Sequence, residues 1–116
     1  GIHGEPGIEK TTTKSAAEIA DIMVEKITYD LDYSEKEAAI MINGLGGTPL
    51  MELYILAGEI DKRVRAKGIT PVKYMVGNYM TSLEMAGASV SILRLDDEMK
   101  EYLLAPCDTA AWKEGV

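Results

Sequence analysis

The tightest constraint on the fold is a change of hydrophobic period across one glycine-rich turn. Ala38-Ala39-Ile40-Met41-Ile42 is a short, unbroken apolar run. Five residues are too few for a buried helix, and the glycine-rich exit favours a strand covered on both faces. Asn43-Gly44-Leu45-Gly46-Gly47 turns the chain sharply, after which Leu50, Leu53, Tyr54, Ala57, Ile60 and Val64 recur on one face of a helix running to Lys67. Thr48 is placed to cap this helix, Pro49 suits its first position, and Gly68 takes the left-handed position beyond its end. Strand, turn and helix make the first half of a βαβ unit.

Ser15-Ala16-Ala17-Glu18 has capping-box spacing, and Ile19, Ile22, Met23 and Ile27 continue behind it, which predicts a helix over 15–31. The polar, threonine-rich residues 9–14 before it read as a mobile connector. Downstream, 72–79 reads as a strand with Pro71 at its first residue, and 88–95 as another, with Val90 and Ile92 on one face. Residues 81–86 suit a single helical turn, and the short connection then predicts that the two strands are antiparallel neighbours. Asp96 or Asp97 caps a short helix over 98–103, which Ala105-Pro106 ends. The tail carries Trp112 and is expected to dock. The fold class is therefore α/β: one domain over 1–116, with a mixed sheet of about four strands covered by helices.

At 116 residues the chain has room for one domain and its core. Nineteen acidic against twelve basic residues give a net charge of −7 with no basic cluster, so nucleic acid and anionic lipid are poor partners. No apolar run is long enough to span a bilayer, and a single cysteine fits a reducing compartment, most simply the cytoplasm. One histidine and one distant cysteine cannot supply a zinc-type ligand set. The glycine turn could offer donors to an anion but ends in neither a P-loop lysine nor dinucleotide spacing, which favours a structural turn over a substrate contact or packing against a first domain. The acids Asp96, Asp97 and Glu98 are explained by a helix N-terminus, Asp30 and Asp32 as solvated side chains, and Cys107 has no cationic neighbour to activate it.

His3 is the only histidine, set in Gly1-Ile2-His3-Gly4-Glu5-Pro6-Gly7-Ile8. A neutral imidazole on such a loop can attack a carbonyl, carry a proton or ligate a metal, and equally can be a solvated bystander. Glu5, two residues away, can orient the ring or simply stabilise the turn.

Four blocks, His3-Gly4-Glu5-Pro6-Gly7, Asn43 through Leu50 with Glu52-Leu53-Tyr54, Gly77 through Gly87, and Leu95-Asp96-Asp97-Glu98, occur in an order that resembles the dihydroxyacetone (glycerone) kinase family. The likeness is to the second domain of its dihydroxyacetone-binding K subunit. It implies that His3 forms a covalent hemiaminal with the carbonyl carbon of dihydroxyacetone, with Gly4 and Glu5 in the substrate loop. It also implies an upstream domain that carries the acid/base groups, so that the chain, which opens without Met, reads as a piece of a longer two-domain subunit. The strand that feeds His3 is then supplied from upstream. No cofactor or metal is expected on this chain. ATP-Mg or a phosphorylated protein donor is expected on a partner L domain or subunit, and the full subunit is expected to be a homodimer. Some relatives of the K subunit are coactivators that bind the triose without phosphorylating it, and a small anion-binding module is the third reading.

Overall fold

The computed structural model describes residues 4–116. Helix α1 (Ala16–Asp30) precedes strand β1 (Glu37–Gly44), helix α2 (Leu50–Ala66), strand β2 (Thr70–Gly77), strand β3 (Ala88–Leu95), helix α3 (Asp97–Leu104) and a small hairpin of β4 (Cys107–Asp108) and β5 (Lys113–Glu114). Among the described residues the main sheet is mixed and has three strands in the order β2-β1-β3, and β4 and β5 form a separate hairpin.

Strand β1 is central, parallel to β2 and antiparallel to β3. The apolar run anticipates this, since Ala38, Ala39, Ile40 and Ile42 are all buried and point alternately to opposite faces. β2 and β3 run in opposite directions, as expected, but they flank β1 and are not neighbours. The connection of residues 78–87 is long enough to cross one intervening strand, and the strand with two apolar faces takes the middle. Pro71 lies one residue inside β2, where the register with β1 shifts between Ala38 and Ala39, so its missing N–H falls at an irregularity of an edge strand.

Helices α1 and α2 cover one face of the sheet. Ser15 and Glu18 form the capping box, with the Ser15 hydroxyl accepting from the Glu18 N–H and the Glu18 carboxylate accepting from the Ser15 N–H. The buried stripes are shifted from those the period suggests. Ala20 and Val24 carry α1 while Ile22 is exposed; Leu53, Leu56, Ala57, Ile60 and Val64 carry α2 while Leu50 and Tyr54 are exposed. Thr48 does not cap α2, whose cap residue is Pro49 with no side-chain bond, because its hydroxyl is used elsewhere. Gly68 does take the left-handed conformation, at φ 78°. Asp21 pairs with Arg63 and Glu25 with Lys67, the same offset twice, so the helices run parallel to one another. Both therefore start at the end of the sheet where β1 finishes.

The second face is closed by α3 and the hairpin. Asp96 caps α3 through the Met99 N–H. The half-buried Trp112 docks as expected: the Lys73 ammonium lies 5.3 Å from the centre of its ring and Tyr79 meets it edge-on at 5.6 Å. Lys73 also donates to the Leu103 carbonyl and pairs with Glu114, which accepts from the indole N–H. Lys73, and then the indole, hold the Glu114 carboxyl below the ordinary carboxylate range. Elsewhere, burial and Asp61 push the Tyr74 phenol up.

Two outcomes follow from this packing. Ile60→Ala, at a fully buried position, is expected to lose about 2–5 kcal/mol in urea unfolding, whereas Leu83→Ala, on an exposed loop, stays within about 0.5 kcal/mol of the parent. Because Glu114 binds its proton less readily when folded, the docking it supports is present above its unfolded value near 4.5 and is lost as pH falls through the lower folded value. Fluorescence of Trp112, the only tryptophan, reads that transition. Lys73→Met is expected to move it to higher pH, and an unmoved transition would show that the pair does not hold the hairpin.

Candidate functional site

In a sheet with parallel strands, the loops at their carboxyl ends make the natural binding crevice. Here that end is built from the glycine turn after β1, the connection after β2 and the segment entering α1. The first two are bonded to each other along their length. The Leu45 N–H donates to the Gly87 carbonyl at 3.2 Å, the Met85 N–H to the Leu45 carbonyl at 3.1 Å, and the Gly47 N–H to the Met85 carbonyl at 2.9 Å. The Thr48 hydroxyl donates to the Gly87 carbonyl at 2.8 Å and accepts from the Gly87 N–H at 2.9 Å. The Ser82 hydroxyl donates to the Leu45 carbonyl at 2.9 Å.

Backbone against backbone is why glycine is needed. A Cβ on Gly46, at φ 102°, would stand 2.5 Å from the Ser82 carbonyl oxygen, and one on Gly47 would stand 2.8 Å from that of Glu84. The expected helical turn over 81–86 does not form. Glu84 takes a left-handed conformation, φ 52°, and Met85 instead bridges to Gly46. The turn's amides at Leu45 and Gly47 are therefore spent on the neighbouring loop and are not offered to an anion.

Asn43 locks the base of this pair of loops. Its side chain is buried at 3% exposure in a strand otherwise apolar. The amide oxygen accepts from the Tyr79 and Met80 N–H groups, each at 2.9 Å, and the amide nitrogen donates to the Met80 carbonyl at 2.7 Å and the Ser89 hydroxyl at 3.1 Å. The sequence reading took Asn43 only as the start of a turn. The available signal was its place at the end of a buried strand, where an amide must be bonded or costs stability. On the rim, burial and then Tyr54 push the Tyr79 phenol up.

Of the residues expected in the site, His3 lies outside the described residues. Gly4 and Glu5 are exposed, and Gly4 is left-handed at φ 86° with nothing within 4 Å of a Cβ placed on it. Since α1 starts at the carboxyl end of β1, the segment arrives at the same end as the clamped loops. Thr13, Lys14 and Ala16 share a cavity with Thr48, Glu52, Gly87 and Ala88. Among the described residues no three His, Cys, Asp or Glu side chains gather as a metal site, and no helix is long and apolar enough to cross a membrane.

Residues 1–111 match the Dak1 domain. The chain belongs to the Dak1 domain family. The Dak1 chain is 40% identical over 114 residues to the dihydroxyacetone-binding subunit DhaK of a PTS-dependent dihydroxyacetone kinase from Listeria innocua, covering 97% of this chain and 34% of that subunit. It is 42% identical over 117 residues to a D-erythrulose kinase of Mycolicibacterium smegmatis, covering 100% of this chain and 20% of that enzyme. Among solved structures it resembles the dihydroxyacetone kinase operon co-activator Dha-DhaQ with a TM-score of 0.89 at 32% identity, over 98% of this chain and 36% of that one. The chain thus spans about a third or less of each of these proteins, and its α/β fold with a mixed sheet is shared with the solved co-activator.

The clamp yields its own test. Gly46→Ala is expected to destabilise the protein markedly, because both φ and the Ser82 carbonyl oppose the methyl group, while Gly58→Ala, in α2 with open space around it, is expected to add about 0.5–1 kcal/mol. Thermal melts of the two variants are compared with the parent. Equal effects would mean that the turn's glycines are not required by this contact.

Proposed function

We propose that the chain is the part of a dihydroxyacetone (glycerone) kinase subunit that holds the triose, with His3 as its covalent anchor. The observation that carries this reading is the entry of the segment behind the His3-Gly4-Glu5-Pro6-Gly7 block at the carboxyl end of β1, beside the clamped loops. Similarity to a dihydroxyacetone-binding subunit and to a tetrulose kinase supports the substrate class, a short hydroxyketone.

In the proposed step the lone pair of one His3 nitrogen adds to the C2 carbonyl carbon. The C–N bond forms, the C=O π pair moves to oxygen, and the proton of the other ring nitrogen ends on that oxygen through solvent or a neighbouring group. Nothing leaves, and the product is a neutral hemiaminal. Glycerol has no electrophilic carbon and cannot make this bond, although its hydroxyls would satisfy the same hydrogen bonds. The adduct also fixes one carbon of a molecule too small to be oriented by contact alone. Gly4 and Glu5 belong to the loop that carries the ring.

In this reading the terminal hydroxyl is activated by groups of an upstream domain. The phosphate comes from ATP-Mg or a phosphorylated protein donor on a partner L domain or subunit, the full subunit is a homodimer, and the compartment is the cytoplasm. A second reading has a specific support: the likeness to the co-activator Dha-DhaQ fits a paralogue that binds the triose without transferring phosphate. Against the anion-binding module stand the glycine-turn amides at Leu45 and Gly47, which are already bonded.

Mass spectrometry of the intact full-length protein after mixing with dihydroxyacetone and rapid quenching is expected to show one added triose, located on His3 and absent from His3→Ala. An adduct that survives the substitution overturns the assignment. Phosphoryl transfer to the bound triose, assayed with ATP and with a phosphoprotein donor, separates the kinase from the co-activator.

A further inference from the structure

Thr48 directly precedes the first residues of α2 and does not cap them. A side-chain oxygen there would accept from a free amide of the first turn and stabilise the helix, yet α2 starts at Pro49 with no side-chain bond. The Thr48 hydroxyl is turned instead to Gly87, 39 residues along the chain, donating to its carbonyl at 2.8 Å and accepting from its N–H at 2.9 Å. One hydroxyl thus engages both main-chain groups of one residue. The Leu45 N–H donates to the same carbonyl at 3.2 Å, and a Cβ on Gly87 would stand 3.1 Å from Leu45 Cδ1, so Gly87 is held from two sides.

What this bond holds is the wall at which the segment behind the His3 block joins the fold. Thr48, Ala86, Gly87 and Ala88 line one cavity with Thr13, Lys14 and Ala16. Residues 4–13 are exposed, and Lys14 is the first residue of the segment to be partly buried. The start of α1 just beyond is fixed in its turn by the box of Ser15 and Glu18. Ala86, Gly87 and Ala88 carry no group that could enter a reaction, so what this wall can contribute is position.

We propose that Thr48 is a positioning residue for the addition of the triose to His3. Through Gly87 it fixes the wall of residues 86–88, and that wall sets the line on which residues 13–16 pass from the exposed loop into α1. Addition of a ring nitrogen to a carbonyl carbon needs the two atoms aligned at near-contact distance, and a small displacement caused far from the chemistry lowers such a rate steeply. Thr48 does not touch the triose in this account; it acts through the place of the segment that carries the ring. The inference deepens the reading of His3 as the covalent anchor and rests on it.

Quenched mass spectrometry of the full-length protein over a range of dihydroxyacetone concentrations gives the limiting rate of adduct formation and the concentration at half that rate. Thr48→Val keeps the branched shape and removes the hydroxyl. It is expected to lower the limiting rate about 10-fold or more while the half-rate concentration stays within about threefold of the parent. Thr48→Ser keeps the hydroxyl and is expected to react within about threefold of the parental rate. Thr48→Ala, with room for a water to bond Gly87, is expected to lie between the two and carries the test where the valine variant does not fold. Ile60→Val, a core change away from this bond, is expected to react at the parental rate. A Thr48 that served stability alone would lower only the fraction of protein that reacts and leave the rate of that fraction unchanged. That result overturns the proposal, as does a serine variant as slow as the valine one. A parent that forms no adduct on His3 fails the anchor reading and this inference with it, whereas a parent and a valine variant that react equally fast fail this inference alone.

Discussion

Strand β1 is hydrogen-bonded along both edges and buried on both faces, and the rest of the architecture answers that demand. An extended segment this apolar is stable only with a strand on each side and a layer on each face. Helix α2 supplies one layer and returns the chain for the parallel strand β2. The other side then has to be filled by β3, and the connection of residues 78–87 must pass the carboxyl end of β1. The meeting of that connection with the glycine turn is thus imposed by the topology. The glycines at 46 and 47 are where two backbones approach too closely for any side chain.

This meeting would be loose without polar groups that order it. The Asn43 amide, buried in an apolar strand, has every partner it needs, and losing one would leave a buried group unpaired at a cost of about 1–3 kcal/mol. Its bonds run to main-chain groups of Tyr79 and Met80, so they fix the path of the connection where it leaves β2. Thr48 does the same at the other end, with Gly87 both donating to and accepting from its hydroxyl. Both ends of the connection are thereby bonded to the end of β1 and the glycine turn that follows it.

Much of this was legible in the sequence. The apolar run over 38–42, the capping box at Ser15 and Glu18, Gly68 at the helix end and Asp96 at the start of α3 are local signals whose physics is complete within a few residues. What the sequence did not yield is non-local. The placing of β2 and β3 on opposite sides of β1 depends on which strand has two apolar faces to bury, and the short connection argued for adjacency. Thr48 looked like a cap because nothing nearby reveals that Gly87, far along the chain, takes its hydroxyl. Ile22, Leu50 and Tyr54 fit the helical period and are nevertheless exposed, because periodicity finds a stripe and only packing decides its centre. The loop of the His3 block is a different case: His3 stands out by its rarity and by family likeness, and its neighbours Gly4 and Glu5 are exposed ahead of α1.

The two faces of the sheet are completed in opposite ways. The second face is closed by the chain itself, through α3 and a hairpin whose Trp112, Glu114 and Lys73 satisfy one another. A lysine at 8% side-chain exposure is tolerable there only because a carboxylate, a carbonyl and an aromatic face all meet its ammonium group. Among the described residues the helix face has no such closure at the β3 edge. The cavity there sets apolar Ile19, Met23, Leu53 and Leu56 beside polar Thr13, Lys14, Thr48 and Glu52, and β3 has no charged residue or proline on residues 88–91. Edge strands left to face water usually carry such residues. Residues 88–91 carry none of them, and it is the turn after α1, tied to the later part of β3 through Tyr33 and Arg94, that covers this edge where it is covered.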